Sequence, residues 1–130
     1  MTGRLERSRA HSGSPYETHV GFSRGARAGS VVAISGTAPV WPDGHVDADP
    51  AAQARRCWEI ALTALAELNG RLDEVIRTRM YVVSADDADA VGSVHGEVFG
   101  LIRPASTMVV VAGLLDPRWL VEVELDALLG

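Results

Sequence analysis

The period of hydrophobic and polar positions changes several times along this chain, and each change marks an element. Thr18–Arg24 is the first strand candidate, followed by a turn around Gly25–Gly29. Val31–Ser35 is short, β-branched and ended by Gly36, which predicts a buried strand. Residues Pro39–Pro50 hold three prolines, one glycine and three aspartates, the composition of a surface loop. Ala54, Cys57, Trp58, Ala61, Leu65 and Leu68 then recur at helical spacing, with Asp49 as N-cap, Pro50 at the first position and Gly70 at the far end. The spacing predicts a helix over Ala51–Asn69. In the strand candidate Val75–Val83, Ile76, Thr78, Met80 and Val82 fall on one face, and Val75, Arg77, Arg79, Tyr81 and Val83 on the other. Ala88, Val91, Val94, Val98 and Leu101 form the stripe of a second helix over Asp87–Leu101, and Pro104 ends that segment. Two strands, Thr107–Ala112 and Leu120–Leu128, close the chain around a turn at Asp116-Pro117-Arg118.

The order β-β-α-β-α-β-β predicts an α+β fold with a single sheet and two helices on one face. Residues 1–15, rich in Ser, Gly and Arg, form a flexible lead-in, and 16–130 a single domain. Val31–Ile34 and Met108–Ala112 are apolar at consecutive positions, so both faces of those strands need cover. Both helices are required on one face, and another subunit is the simplest cover for the second. Leaving such a patch wet would cost about 25 cal/mol per Å² of apolar surface.

Composition narrows the partners. The net charge is −5 and all twelve basic residues are arginine, which disfavours nucleic acid, whose binding needs clustered cations. No apolar run approaches a membrane span, and no apolar stretch follows the arginines of Met1–Arg9 as a secretory signal would require. A single cysteine, Cys57, excludes an intrachain disulfide and fits a reducing cytoplasm. It falls on the apolar stripe of the first helix and reads as a small buried hydrophobe. The histidines His11, His19, His45 and His95 lack metal-like spacing, so no metal site is expected; His95 reads as a residue of the polar helix face.

Several local motifs, in this order and spacing, resemble one family. They are Ser35-Gly36-Thr37, Gly70 with Val75-Ile76-Arg77-Thr78, Arg103-Pro104-Ala105, and Val121-Glu122-Val123-Glu124. From about Val20 to Leu128 the chain is similar to the reactive-intermediate deaminase (Rid, or YjgF-like, also L-PSP endoribonuclease) family. The resemblance implies a chorismate-mutase-like homotrimer, with sheets forming a central barrel, helices outside and a small-molecule cleft between subunits. It also implies hydrolysis of enamines and imines such as 2-aminoacrylate to a keto acid and ammonia, without metal or cofactor.

Position by position, the resemblance makes Glu122 the residue that orients the attacking water, a role that needs it ionised beside an arginine. Gly36 becomes the bare backbone that approaches the ligand next to Ser35, and Phe22 the cleft aromatic, where a tyrosine is usual. The family's substrate-binding arginine falls on Ser106, close to Met108. A serine offers one neutral hydrogen bond where a guanidinium offers a bidentate fork with bonds roughly twice as strong. The chain is therefore read as a member of a subgroup with an altered anion site, and Arg79 and Arg103 are candidate replacements. The alternation also places Arg77 and Arg79 on a face with Glu122 and Glu124, where an ion pair across the trimer is the structural alternative. The activities left open are an imine or enamine hydrolase or a related tautomerase or cyclase, a non-catalytic metabolite-binding trimer, and an endoribonuclease, which the acidic charge disfavours.

Overall fold

The first long helix forms where its punctuation predicts. A computed structural model describes residues 3–130 and gives α1 over Pro50–Glu67. Asp49 accepts a hydrogen bond from the Ala52 amide at 2.9 Å through its side chain, and Pro50 occupies the first turn, where an amide would be idle. At the other end it is Asn69, at φ 66°, that takes the left-handed position. The Asn69 and Gly70 amides donate to Ala66 and Leu65 carbonyls, both at 2.9 Å, so the helix stops two residues short of the expected Asn69. Gly70 is needed for a different reason. A Cβ there would lie 2.3 Å from Cδ1 of Leu65, a residue only 1% exposed.

Six strands make one sheet in the order β1-β2-β3-β6-β4-β5. They are β1 (Arg7–Ala10), β2 (Gly25–Ala28), β3 (Val31–Thr37), β4 (Val75–Val82), β5 (Ala105–Val110) and β6 (Val121–Leu128). All neighbours are antiparallel except β4 and β5, which are parallel and joined by the crossover helix α2 (Ala88–Phe99). Both helices pack on one face. The core there comprises Ala54, Cys57, Trp58 and Leu65 of α1 against Val32, Ile34, Met80, Val82 and the inward residues of β6.

Five expectations change. Thr18–Arg24 is not a strand, because Glu17–Gly21 forms a single π-helical turn. Glu17 holds that turn by accepting hydrogen bonds from the Ser12 amide and hydroxyl and pairing with His11 at 3.0 Å. The expected turn at Gly25–Gly29 is instead β2, with the reversal at Gly29 (φ 60°), and Gly25 sits in the strand because a Cβ would meet Ile34 at 2.7 Å. Within residues 1–15, of which 1–2 lie outside the described residues, Arg7–Ala10 adds an edge strand. In β4 a register shift between Val75 and Arg77 inverts the start of the alternation: Val75 is buried and Ile76 is 53% exposed. Finally, α2 ends at Phe99, which is buried, and Leu101 projects fully into solvent.

The loop before α1 and the segment before β6 are tied together by buried Gln53. Its Nε2 donates to the Asp47 carbonyl at 2.7 Å and the Arg118 carbonyl at 2.9 Å, and its Oε1 accepts from the Leu120 amide at 2.8 Å. This clasp sets the point at which β6 enters the sheet. Replacing Gly70 with alanine should overpack Leu65 and lower stability by about 1–3 kcal/mol. A denaturant titration checks this, and an unchanged midpoint would show that Leu65 can move aside.

Candidate functional site

The uncovered face of the sheet is built by alternation in β6. Val121, Val123, Leu125 and Ala127 are buried under the helices, which turns Glu122, Glu124 and Asp126 outward. From β4, Arg79 and Tyr81 point to the same side and answer two of the three carboxylates. Arg79 lies 3.2 Å from Asp126 and 3.5 Å from Glu124, and the Tyr81 hydroxyl donates to Glu124 at 2.7 Å. Accepting that proton, the Glu124 carboxylate raises the Tyr81 pKa, with burial adding to the effect. An open cavity of about 420 Å³ lies over this region, with Phe22, Ser35, Arg79, Glu124 and Asp126 in its walls. It brings three of the expected site residues, Phe22, Ser35 and Arg79, into one place. The charge of Arg79 is already matched inside its own chain, and the Ser35 hydroxyl donates to the Ser23 carbonyl at 2.6 Å.

Glu122 and Gly36 meet just outside those walls. The ladder between β3 and β6 shifts register between Ile34 and Thr37, and this bulge presses Gly36 against the Glu122 carboxylate. A Cβ on Gly36 would stand 3.2 Å from Oε2, so only glycine leaves the carboxylate its present position without displacement. Glu122 is half-buried. Burial raises its pKa, and repulsion from Glu124 adds to the shift, while Arg24 opposes it. Desolvation therefore outweighs the cation in setting the direction of the Glu122 shift.

Arg24 escaped the sequence reading. The periodicity makes it the last residue of the strand candidate Thr18–Arg24, whereas it lies between the π-helical turn and β2, and its guanidinium donates to Thr37 Oγ1 at 3.3 Å. Thr37 follows Gly36 directly, so Arg24 and Glu122 flank consecutive positions of β3. No periodic signal could have found this, because Arg24 and Glu122 are almost a chain length apart in sequence.

Ser106, Met108 and Arg103 are elsewhere in the single chain. Parallel pairing of β5 with β4 sets Ser106 opposite Thr78, facing the helix side. The Thr78 and Ser106 hydroxyls are 2.8 Å apart, and Thr78 Oγ1 is 2.8 Å from His95 Nε2. His95 is not on a polar face as expected. It is half-buried between Trp58 and Phe99, with ring centroids at 5.7 and 4.7 Å, and burial lowers its pKa. Met108 packs against α2 near Gly92. Arg103, at φ 55°, is exposed at the head of β5. Within one chain, then, Gly36 and Glu122 converge and Ser106 does not join them. Cys57 is buried and its thiol is pushed well up by desolvation, so it is inert. Among the described residues no cluster of His, Cys, Asp and Glu could hold a metal ion, and no helix is long and apolar enough to cross a membrane.

Known proteins match nearly the whole of this architecture. The family profile described as "Endoribonuclease L-PSP" matches residues 13–129. An uncharacterised Streptomyces coelicolor protein, SCO2049, is 40% identical over 123 residues, covering 94% of this chain and 92% of its own. The crystal structure of Mycobacterium tuberculosis Rv2704, described as a member of the YjgF/YER057c/UK114 family, superposes with a TM-score of 0.88 at 39% identity, over 95% of this chain and 100% of the other. A Yersinia pestis Rid-family protein, YyfA, gives a TM-score of 0.83 at 23% identity, over 95% of this chain and all of its own. The fold, the profile and the close relatives agree: this chain belongs to the YjgF/UK114 family, the family of the L-PSP endoribonuclease profile.

Proposed function

We propose that the protein hydrolyses a reactive imine or enamine to a carbonyl compound and ammonia, at a site centred on Glu122 and Gly36 in a cleft between subunits of a homotrimer. The observation that carries this reading is the half-buried Glu122 carboxyl against a glycine backbone, with burial raising its pKa above the ordinary carboxylate value. A base whose pKa approaches the working pH is the better proton-transfer group. Water adds to the electrophilic carbon and gives its proton to Glu122. Glu122 hands that proton to the nitrogen to complete the carbinolamine, then takes the carbinolamine hydroxyl proton and passes it to the nitrogen as the carbon–nitrogen bond breaks, so that ammonia leaves and the oxygen remains as the carbonyl. Gly36 leaves room for the substrate beside the carboxyl, and Phe22 supplies an apolar wall from the adjoining cavity. No metal or organic cofactor takes part in this scheme.

The subunit arrangement is supported by apolar surface that no element of the chain covers. Val31, Val109 and Leu128 are 56%, 43% and 52% exposed on the face away from the helices. In an assembly, Ser106 at the rim of one subunit could approach the Glu122 site of the next. Sedimentation at micromolar concentration should give a trimer, and a monomer would remove the cleft altogether.

Two results are expected of Glu122→Gln. Disappearance of 2-aminoacrylate or 2-iminobutyrate, followed in a coupled assay, should fall by about 10²–10⁴-fold. Undiminished turnover would end the hydrolase reading. Absent turnover in the native protein, with tight keto-acid binding, would favour a metabolite-binding role. The same variant has a signature in stability. The native Glu122 pKa is raised, so its contribution to folding is present below the unfolded pKa and lost as pH rises through the folded one. The neutral glutamine should therefore raise the thermal midpoint at neutral pH, and the gain should vanish in acid.

A further inference from the structure

Arg24 is a half-buried cation whose charge is not answered inside the chain. Arg55, Arg56, Arg71, Arg79 and Arg118 each sit in an ion pair with a carboxylate. Among the described residues Arg24 has no such pair, and the one side-chain bond of its guanidinium is a 3.3 Å donation to the neutral Thr37 hydroxyl. The nearby acids do not serve it. Glu17 is engaged by Ser12 and His11, and Glu122 lies beyond ion-pair distance against Gly36. Burial accordingly works against the charge and pushes its pKa down, whereas the pKa values of Arg55, Arg71 and Arg118 are raised by their partners. A desolvated guanidinium without a counter-ion is costly to hold. One that keeps most of its five donors free is shaped for a planar anion.

Its position gives that anion a purpose. Thr37, the residue Arg24 bonds, is the immediate neighbour of Gly36, the residue Glu122 touches. The cation and the carboxyl therefore reach two successive residues of one bulged strand, and each is near enough for its charge to act on the other. Arg56 adds a second positive influence on Arg24 but is itself paired with Glu59 at 2.6 Å and lies over the Trp41 ring.

We propose that Arg24 is the carboxylate-binding residue of this site, its guanidinium fork receiving a small 2-imino or 2-oxo acid so that the ligand's reactive carbon lies toward Glu122. Arg24 takes the part that neither Ser106, turned to the helix side, nor Arg79, held by Glu124 and Asp126, performs within the chain. The substrate class is thereby an anionic imine and not an uncharged one. This assignment rests on the hydrolase reading for its purpose but not for its test.

The test titrates the intact protein with pyruvate, a stable product-like anion, and with uncharged methyl pyruvate, by calorimetry. Pyruvate should bind and its methyl ester should bind far more weakly. Arg24→Met should weaken pyruvate about 10–100-fold. Arg24→Lys, which keeps the charge and loses the fork, should fall between the two, and Arg55→Met on the surface should match the native protein. Four results overturn the assignment: no pyruvate binding by the native protein, equal binding of acid and ester, unchanged affinity in both Arg24 variants, or weakened binding that accompanies dissociation of the assembly. The last would mean that Arg24 answers a carboxylate of a neighbouring subunit. Glu122→Gln separates the two readings. If it keeps turnover while Arg24→Met loses pyruvate, the hydrolase mechanism fails and the anion site stands.

Discussion

The structure depends on one strand being buried on one side only. β6 lies between β3 and β4, and Val121, Val123, Leu125 and Ala127 are sealed beneath α1. Fully burying a valine or leucine side chain is worth about 1.5–3 kcal/mol. A one-residue slip of this strand would forfeit three such contacts and the burial of Ala127, and drive Glu122, Glu124 and Asp126 into the core. The acidic row on the opposite face follows from that burial and needs no separate cause. Once it exists, the same period in β4 brings Arg79 and Tyr81 to it, and two of the three acids are neutralised or hydrogen-bonded.

Glu122 differs from its two neighbours because of backbone irregularity, not side-chain chemistry. The β3 bulge moves Gly36 onto it, and Arg79 lies too far along β4 to reach it. Half-buried and facing the negative charge of Glu124, its carboxyl holds a proton more tightly than an exposed one. The same bulge seats Thr37 in the core, where its hydroxyl receives Arg24. A single extra residue in a ladder thus assembles a carboxyl, a bare stretch of backbone and a cation at one end of the sheet, the kind of re-aiming for which bulges are conspicuous near active sites.

On the helix side a second polar group is arranged quite differently. Ser106, Thr78 and His95 form a continuous hydrogen-bonded run from the rim of β5 to the aromatic pair Trp58 and Phe99. Thr78 is fully buried, so its hydroxyl needs these partners. Where the family resemblance sets a substrate arginine, this chain has a serine that completes an internal network. Arg24, the residue proposed to bind the anion, comes instead from the segment before β2.

Much of this was legible in the chain itself. The start of α1, the single sheet with two helices on one face, and the outward acidic row of β6 all follow from short-range periodicity and from capping residues whose physics is local. The family was legible too, because Ser35-Gly36-Thr37, Arg103-Pro104-Ala105 and Val121-Glu122-Val123-Glu124 keep a characteristic order. What the tertiary structure alone decided was everything that hangs on register between distant strands. Bulges invert Val75 and Ile76 and press Gly36 onto Glu122, parallel pairing turns Ser106 toward the helices, and Arg24 reaches Thr37, the next residue to Gly36. Periodicity records which face a residue prefers, whereas a bulge or a long-range approach leaves that local pattern unchanged until the strands have paired.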